Sequence, residues 1–61
     1  MKVTTSKGNI RVNNVQVGWS VEKNDQGEWD LLNFDDEVVF TAKTKKAALS
    51  HYCEWYAENQ L

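Results

Sequence analysis

Val15, Val17, Trp19 and Val21 alternate with polar or small residues over seven positions. That is the period of two expected of a half-buried strand. Ile10-Arg11-Val12 precedes this run, and Asn13-Asn14 separates the two. Asparagine tolerates positive φ, so the pair predicts a tight hairpin turn. Past Lys23 comes Asn24-Asp25-Gln26-Gly27. Asn at the first position and Gly at the fourth suit a type I turn closed by a left-handed glycine. Residues 28–34 then read as a strand, Asp35-Asp36 as a turn and 37–42 as another strand. Residues 2–5 add a first strand, with Lys7-Gly8-Asn9 as its turn.

The period changes after Thr44, whose hydroxyl can accept from the free amides of a first helical turn. Ala48, Leu49, Tyr52, Cys53, Trp55 and Tyr56 fall within an arc of about 160° at 100° per residue. Lys46, Ser50, Glu54 and Glu58 share the other side. The pattern predicts one helix over 44–59, with Leu61 frayed beyond it. The fold class expected is α+β: an antiparallel β-meander of four or five strands, then one C-terminal amphipathic helix on one sheet face. Residues 1–61 read as a single domain, because no proline, repeat or linker divides them.

Composition narrows the function. Sixty-one residues bury only about 60% of the unfolded surface, so the core is thin and leaves no room for a deep substrate cleft. The lone cysteine, Cys53, excludes an internal disulfide framework and fits a reducing compartment. No apolar run is long enough for a membrane span or a signal-peptide core, so the expected location is the cytoplasm. His51 and Cys53 are the strong soft-metal ligands. On a helix, His-x-Cys points its two side chains about 200° apart, and a site needs about four ligands. We expect no metal, no cofactor and no catalytic residues: one histidine without a nucleophile motif gives no triad.

Thr44-Lys45-Lys46-Ala47-Ala48 resembles the TKxxA helix start of several small sheet-then-helix modules. These include the arm-binding domains of phage-type integrases and some small bacterial and phage domains. The resemblance covers five residues and the topology. Those modules usually carry an aromatic close before the threonine; here Phe40 lies four residues before it. The resemblance implies a phage or prophage origin, hence a host cytoplasm, and transfers no site.

Seven aromatics (Trp19, Trp29, Phe34, Phe40, Tyr52, Trp55 and Tyr56) are more than one helix covers on one sheet face. Read as a strand, 28–34 puts Trp29 and Leu31 on one face and Leu32 and Phe34 on the other. Either these side chains are scattered and partly shielded, or the second face is open to a partner or to a second copy in a homodimer.

Charge separates along the chain. Residues 1–23 sum to +3, residues 24–42 to −6 and residues 43–61 to +1. On a meander, Lys7, Lys23, Lys43, Lys45 and Lys46 collect at one end. A helix of about 15 residues runs back about 22 Å, which carries Glu54 and Glu58 towards Asp35, Asp36 and Glu37. Lysines at the helix start and glutamates in its second half oppose the macrodipole, by about 0.3–1 kcal/mol per charge. Two functional readings stand. One is a non-catalytic protein-interaction module, a small phage accessory factor or inhibitor. It would use Asp35, Asp36, Glu37, Glu54, Glu58 and Trp29 with the open sheet face, docking on a basic protein surface. The other is a nucleic-acid- or anion-binding module using the five lysines. Solvated turns are the plain alternative to both.

Overall fold

Four hairpins build the sheet, and each connecting turn contains asparagine or glycine. The computed structural model describes residues 2–59. Its strands are β1 (Val3–Ser6), β2 (Asn9–Val12), β3 (Val15–Lys23), β4 (Trp29–Leu32) and β5 (Val38–Ala42), followed by helix α1 (Lys45–Asn59). They form one antiparallel sheet in the order β1-β2-β3-β4-β5. The expected meander is therefore present, with five strands. The fraying expected at Leu61 lies outside the described residues.

The first two turns are two-residue links with positive φ at both positions: Lys7 (53°) and Gly8 (85°), then Asn13 (52°) and Asn14 (68°). That is type I′ geometry, whose twist matches the flanking strands. The next two loops are copies of one design. In Asn24–Glu28, the Asn24 side-chain oxygen accepts from the amides of Gln26 and Glu28 at 2.9 and 3.0 Å. In Asn33–Glu37, the Asn33 oxygen accepts from Asp35 and Glu37 at 2.9 and 3.1 Å. Each loop's fourth residue is left-handed: Gly27 at φ 79° and Asp36 at φ 61°.

Two irregularities bend the sheet. Between the pairs Asn9–Ser20 and Arg11–Gln16, β2 supplies only Ile10 while β3 supplies Val17, Gly18 and Trp19. Gly18 sits at φ 88°, where a side chain would be strained. The surplus of two residues preserves parity, so Val17, Trp19 and Val21 still share a face. In β5, Leu31 pairs with Phe40 but Leu32 pairs with Val38, which makes Val39 the extra residue of a bulge.

The helix covers the face carrying Trp19, Val21, Trp29, Leu31, Phe40 and Ala42. The buried cluster joins Ile10, Val12, Trp19, Val21, Leu31 and Ala42 to Ala48 and Tyr52 of α1, with Leu49, Trp55 and Tyr56 packed at its margin. Thr44 caps the helix: its Oγ1 accepts from the Ala47 amide at 3.1 Å. Strand alternation places Arg11, Gln16, Ser20, Glu22, Asp30 and Thr41 on the opposite face. There the Asp30 carboxylate accepts from the Thr41 hydroxyl at 2.8 Å and the Asn24 amide at 3.1 Å. The aromatic open face expected from the sequence is thus a polar one, with Leu32 (8% exposed) and Val38 as its apolar members. No helix among the described residues is long and apolar enough to cross a membrane.

Candidate functional site

Strand and helix rises decide which side chains meet. From Trp29 to Leu32 the strand advances about 10 Å, and the 33–37 loop follows. From Lys45 to Trp55 the helix returns about 15 Å. Lys45 lies over the Trp29 ring, its Nζ 5.7 Å from the centroid. Trp55 therefore arrives beside the 33–37 loop. Trp55 packs on Trp19 with ring centroids 4.6 Å apart, and Tyr52 packs on Trp19 at 5.2 Å.

Phe34 rides on the 33–37 loop and is 68% exposed. It does not join the strand face that the sequence reading gave it, because β4 ends at Leu32. Instead it stands beside Trp19 and Trp55 as a knob between two hollows. One, of about 400 Å³, is lined by Trp19, Asn33, Phe34, Val39, His51 and Trp55. The other, of about 390 Å³, is lined by Val17, Trp19, Phe34, Tyr52, Trp55 and Tyr56. Trp19, Phe34 and Trp55 belong to both, so this is one apolar groove with a central ridge. The loop carrying Phe34 is held by the two Asn33 side-chain bonds. Two backbone bonds add to them: Asn33 amide to Glu37 carbonyl and Asp36 amide to Asn33 carbonyl, both at 3.0 Å.

The carboxylates lie on the loop and the helix that contribute Phe34 and Trp55 to the groove. Asp35, Asp36 and Glu37 are exposed on the Phe34 loop, and Glu54 and Glu58 are exposed on the helix half that carries Trp55. Trp29 is not with them. It lies at the other end of β4, half-buried against the core and beneath Lys45. The acidic loop also stops short of the far end of the sheet, since the Ser20–Leu32 pairing sets it beside the middle of β3. Beyond it lie Lys2, whose amide donates to Asn13 Oδ1 at 3.0 Å, and Arg11, whose guanidinium donates to the Asn14 carbonyl at 2.6 Å.

The lysines gather where the β1–β2 turn, the β3–β4 loop and the helix start meet. The Val21 amide donates to the Gly8 carbonyl at 2.8 Å, which draws the Lys7 turn against β3. Lys23 pairs with Trp29, and Lys43 and Lys46 are exposed. No acidic residue stands in the first helical turn and no basic one in the last, so the helix dipole is opposed at its N-terminus.

His51 stacks on Phe40 at 3.8 Å with the rings 3° from parallel, and Cys53 is a half-buried free thiol. Among the described residues no three His, Cys, Asp or Glu side chains converge as a metal site would need. Burial raises the Tyr52 phenol pKa, with Tyr56 and Cys53 adding to it. Sequence reasoning missed Trp19, Asn33, Val39, His51 and Trp55 as groove residues and put Phe34 on the opposite sheet face. The available signal was the repetition of Asn-x-x-x-Glu at 24–28 and 33–37, which marks 33–37 as a loop and releases Phe34 from the strand.

Comparison with known protein families, with curated proteins and with solved structures gives no match for this chain.

Proposed function

We propose that this protein is a non-catalytic protein-interaction module whose contact surface is the Phe34 groove with its carboxylate surround. One observation carries the reading: a two-thirds-exposed phenylalanine held on a rigid loop between two hollows of about 400 Å³. A chain this short has little apolar surface to spare, and an exposed aromatic beside an apolar groove suits a surface used for contact. The carboxylates favour a partner face that is basic, including that of a nucleic-acid-binding protein. The resemblance of its helix start to phage-type modules fits a phage or prophage accessory factor acting on a host or viral protein.

The test is a pair of double variants used against the same host lysate and against duplex DNA at two salt concentrations. Asp35→Lys with Asp36→Lys abolishes partner capture and leaves the fold intact, since exposed turn charges add little stability. Lys45→Glu with Lys46→Glu leaves capture unchanged. Retained capture by the aspartate double variant would sink this reading.

A second reading rests on the basic end, where lysines occupy unfavourable positions in two separate elements. Lys7 adopts φ 53°, where asparagine or glycine is favoured, and Lys45 and Lys46 face the positive end of the helix dipole. Under that reading the module binds nucleic acid. Affinity then falls steeply with salt through counterion release, and the lysine reversals, not the aspartate ones, abolish it.

A further inference from the structure

We infer that the occupant of the groove is a cationic amphipathic helix of a partner protein, presenting two apolar side chains one turn apart. This rests on the protein-interaction reading above and gives its partner a chemistry. The two hollows flank a single ridge, so the complement must be two apolar groups with a gap that admits Phe34. Side chains at i and i+4 of a helix, about 6 Å apart, provide that shape.

An extended peptide fits less well, because it needs free backbone partners. The groove floor is made of side chains, and β4 is paired on both edges, whereas β3 pairs with β4 only over Ser20–Lys23. The free ladders beside it belong to β5, whose bulge at Val39 shifts the register, and to Val15–Trp19 of β3, where the Gly18 irregularity does the same. Charge selects the sign of the helix. Asp35, Asp36 and Glu37 lie on the loop that carries Phe34, and Glu54 lies next to Trp55 in sequence. Of the lysines, Lys23 and Lys45 are held at the Trp29 end, about 10 Å away along β4. Lys or Arg flanking the two apolar residues therefore meets carboxylate on either side of the ridge.

The experiment titrates the full chain with three synthetic peptides of about 14 residues. One is a lysine–leucine sequence with an i, i+4 leucine stripe. The second is its scramble, with equal charge and no stripe. The third is a glutamate–leucine helix. Tryptophan emission, from Trp19 and Trp55 in the groove, and backbone amide shifts report binding. The striped cationic peptide binds at least tenfold tighter than either other peptide, moves the amides of residues 33–37 and 51–55, and gains helical circular dichroism. Phe34→Ala, an exposed position whose loss does not disturb the fold, weakens it at least tenfold; a thermal melt equal to the parent's checks that.

Equal binding of the scramble, or full binding to Phe34→Ala, overturns the inference. The broader reading is judged separately. Lysate capture that is lost in the aspartate double variant but kept in Phe34→Ala retains the interaction module and rejects the helix-in-groove. Capture kept in both variants rejects the two together.

Discussion

Reversing charge at the start of α1 should stabilise this protein, but at one of the two lysines more than at the other. Thr44 is the N-cap, so Lys45 and Lys46 are the first two helical residues. A charge in the first turn interacts with the dipole by about 0.3–1 kcal/mol, so Lys→Glu, which removes one sign and adds the other, gains roughly 0.6–2 kcal/mol. Lys46 is exposed, and the full gain applies there. Lys45 holds its ammonium 5.7 Å from the centre of the half-buried Trp29 ring. Its reversal forfeits about 0.5–1 kcal/mol of cation–π attraction, which offsets half or more of the dipole gain. A domain of this size shifts its midpoint by about 4–8 °C per kcal/mol. Lys46→Glu should therefore raise Tm by roughly 2–16 °C at low ionic strength, with Lys45→Glu near the parent. Melts in 10 mM and 1 M salt check both. The Lys46 gain should shrink in high salt, where the Debye length is only about 3 Å. A Lys46→Glu protein that melts at or below the parent in low salt would refute the placement of the helix start. Equal gains at both positions would refute the Lys45–Trp29 contact.

Leu31 is fully buried at the centre of the cluster. Leu31→Ala should cost about 2–5 kcal/mol, a large part of the total in so small a domain, whereas the half-buried Leu49→Ala should cost less; urea titration ranks them. Asn33→Ala strips two amides of their acceptor. It should cost about 1–2 kcal/mol and broaden the amide signals of residues 34–36. Lys7→Asn places a residue that tolerates φ 53° in the type I′ turn and should stabilise by about 0.5–1 kcal/mol, read as a Tm rise. Burial lifts the Tyr52 phenol above its ordinary pKa of about 10. The unfolded chain therefore ionises first: this contribution is intact below pH 10 and is lost as pH rises towards the folded pKa. The alkaline fall in Tm should flatten in Tyr52→Phe.

The sheet was readable because its punctuation is chemical. Asn13-Asn14, Asn24 and Gly27 each carry a conformational preference that survives without tertiary context, and the structure places a turn at each. The alternation of Val15, Val17, Trp19 and Val21 was readable for the same reason. What it hid is the Gly18 irregularity. A surplus of two residues keeps every side chain on its face, so the hydrophobic pattern passes through without a mark. The Val39 bulge is hidden differently. Val38 and Val39 are both apolar, so nothing in 37–42 distinguishes a regular strand from one with an extra residue. The helix was readable through Thr44 and the spacing of Ala48, Tyr52 and Tyr56, although aromatic rather than aliphatic side chains supply most of its buried face.

The site was less readable, and Phe34 shows why. In sequence it continues Trp29-Asp30-Leu31-Leu32 as an apolar tail, and strand parity sends it to the open face. In the fold, Asn33 captures the amides of Asp35 and Glu37, and that local bond set ends β4 before Phe34 is reached. A short polar side chain thus competes with the ladder for the backbone, and the outcome decides which face a phenylalanine joins. Once Phe34 leaves the strand, it meets Trp55, which the helix carries about 15 Å back from Lys45. The groove is therefore a product of one helix length and one turn. No run of residues contains it. The charge pattern, by contrast, was readable because it needs only the ends of elements, and those ends are fixed by the turns. Trp29 is the informative exception. Its number lies close to the acidic residues, yet one strand length separates it from them, and it packs beneath Lys45 instead. Proximity in sequence along a strand is distance in space, and a surface at one end of a meander is assembled from alternate turns.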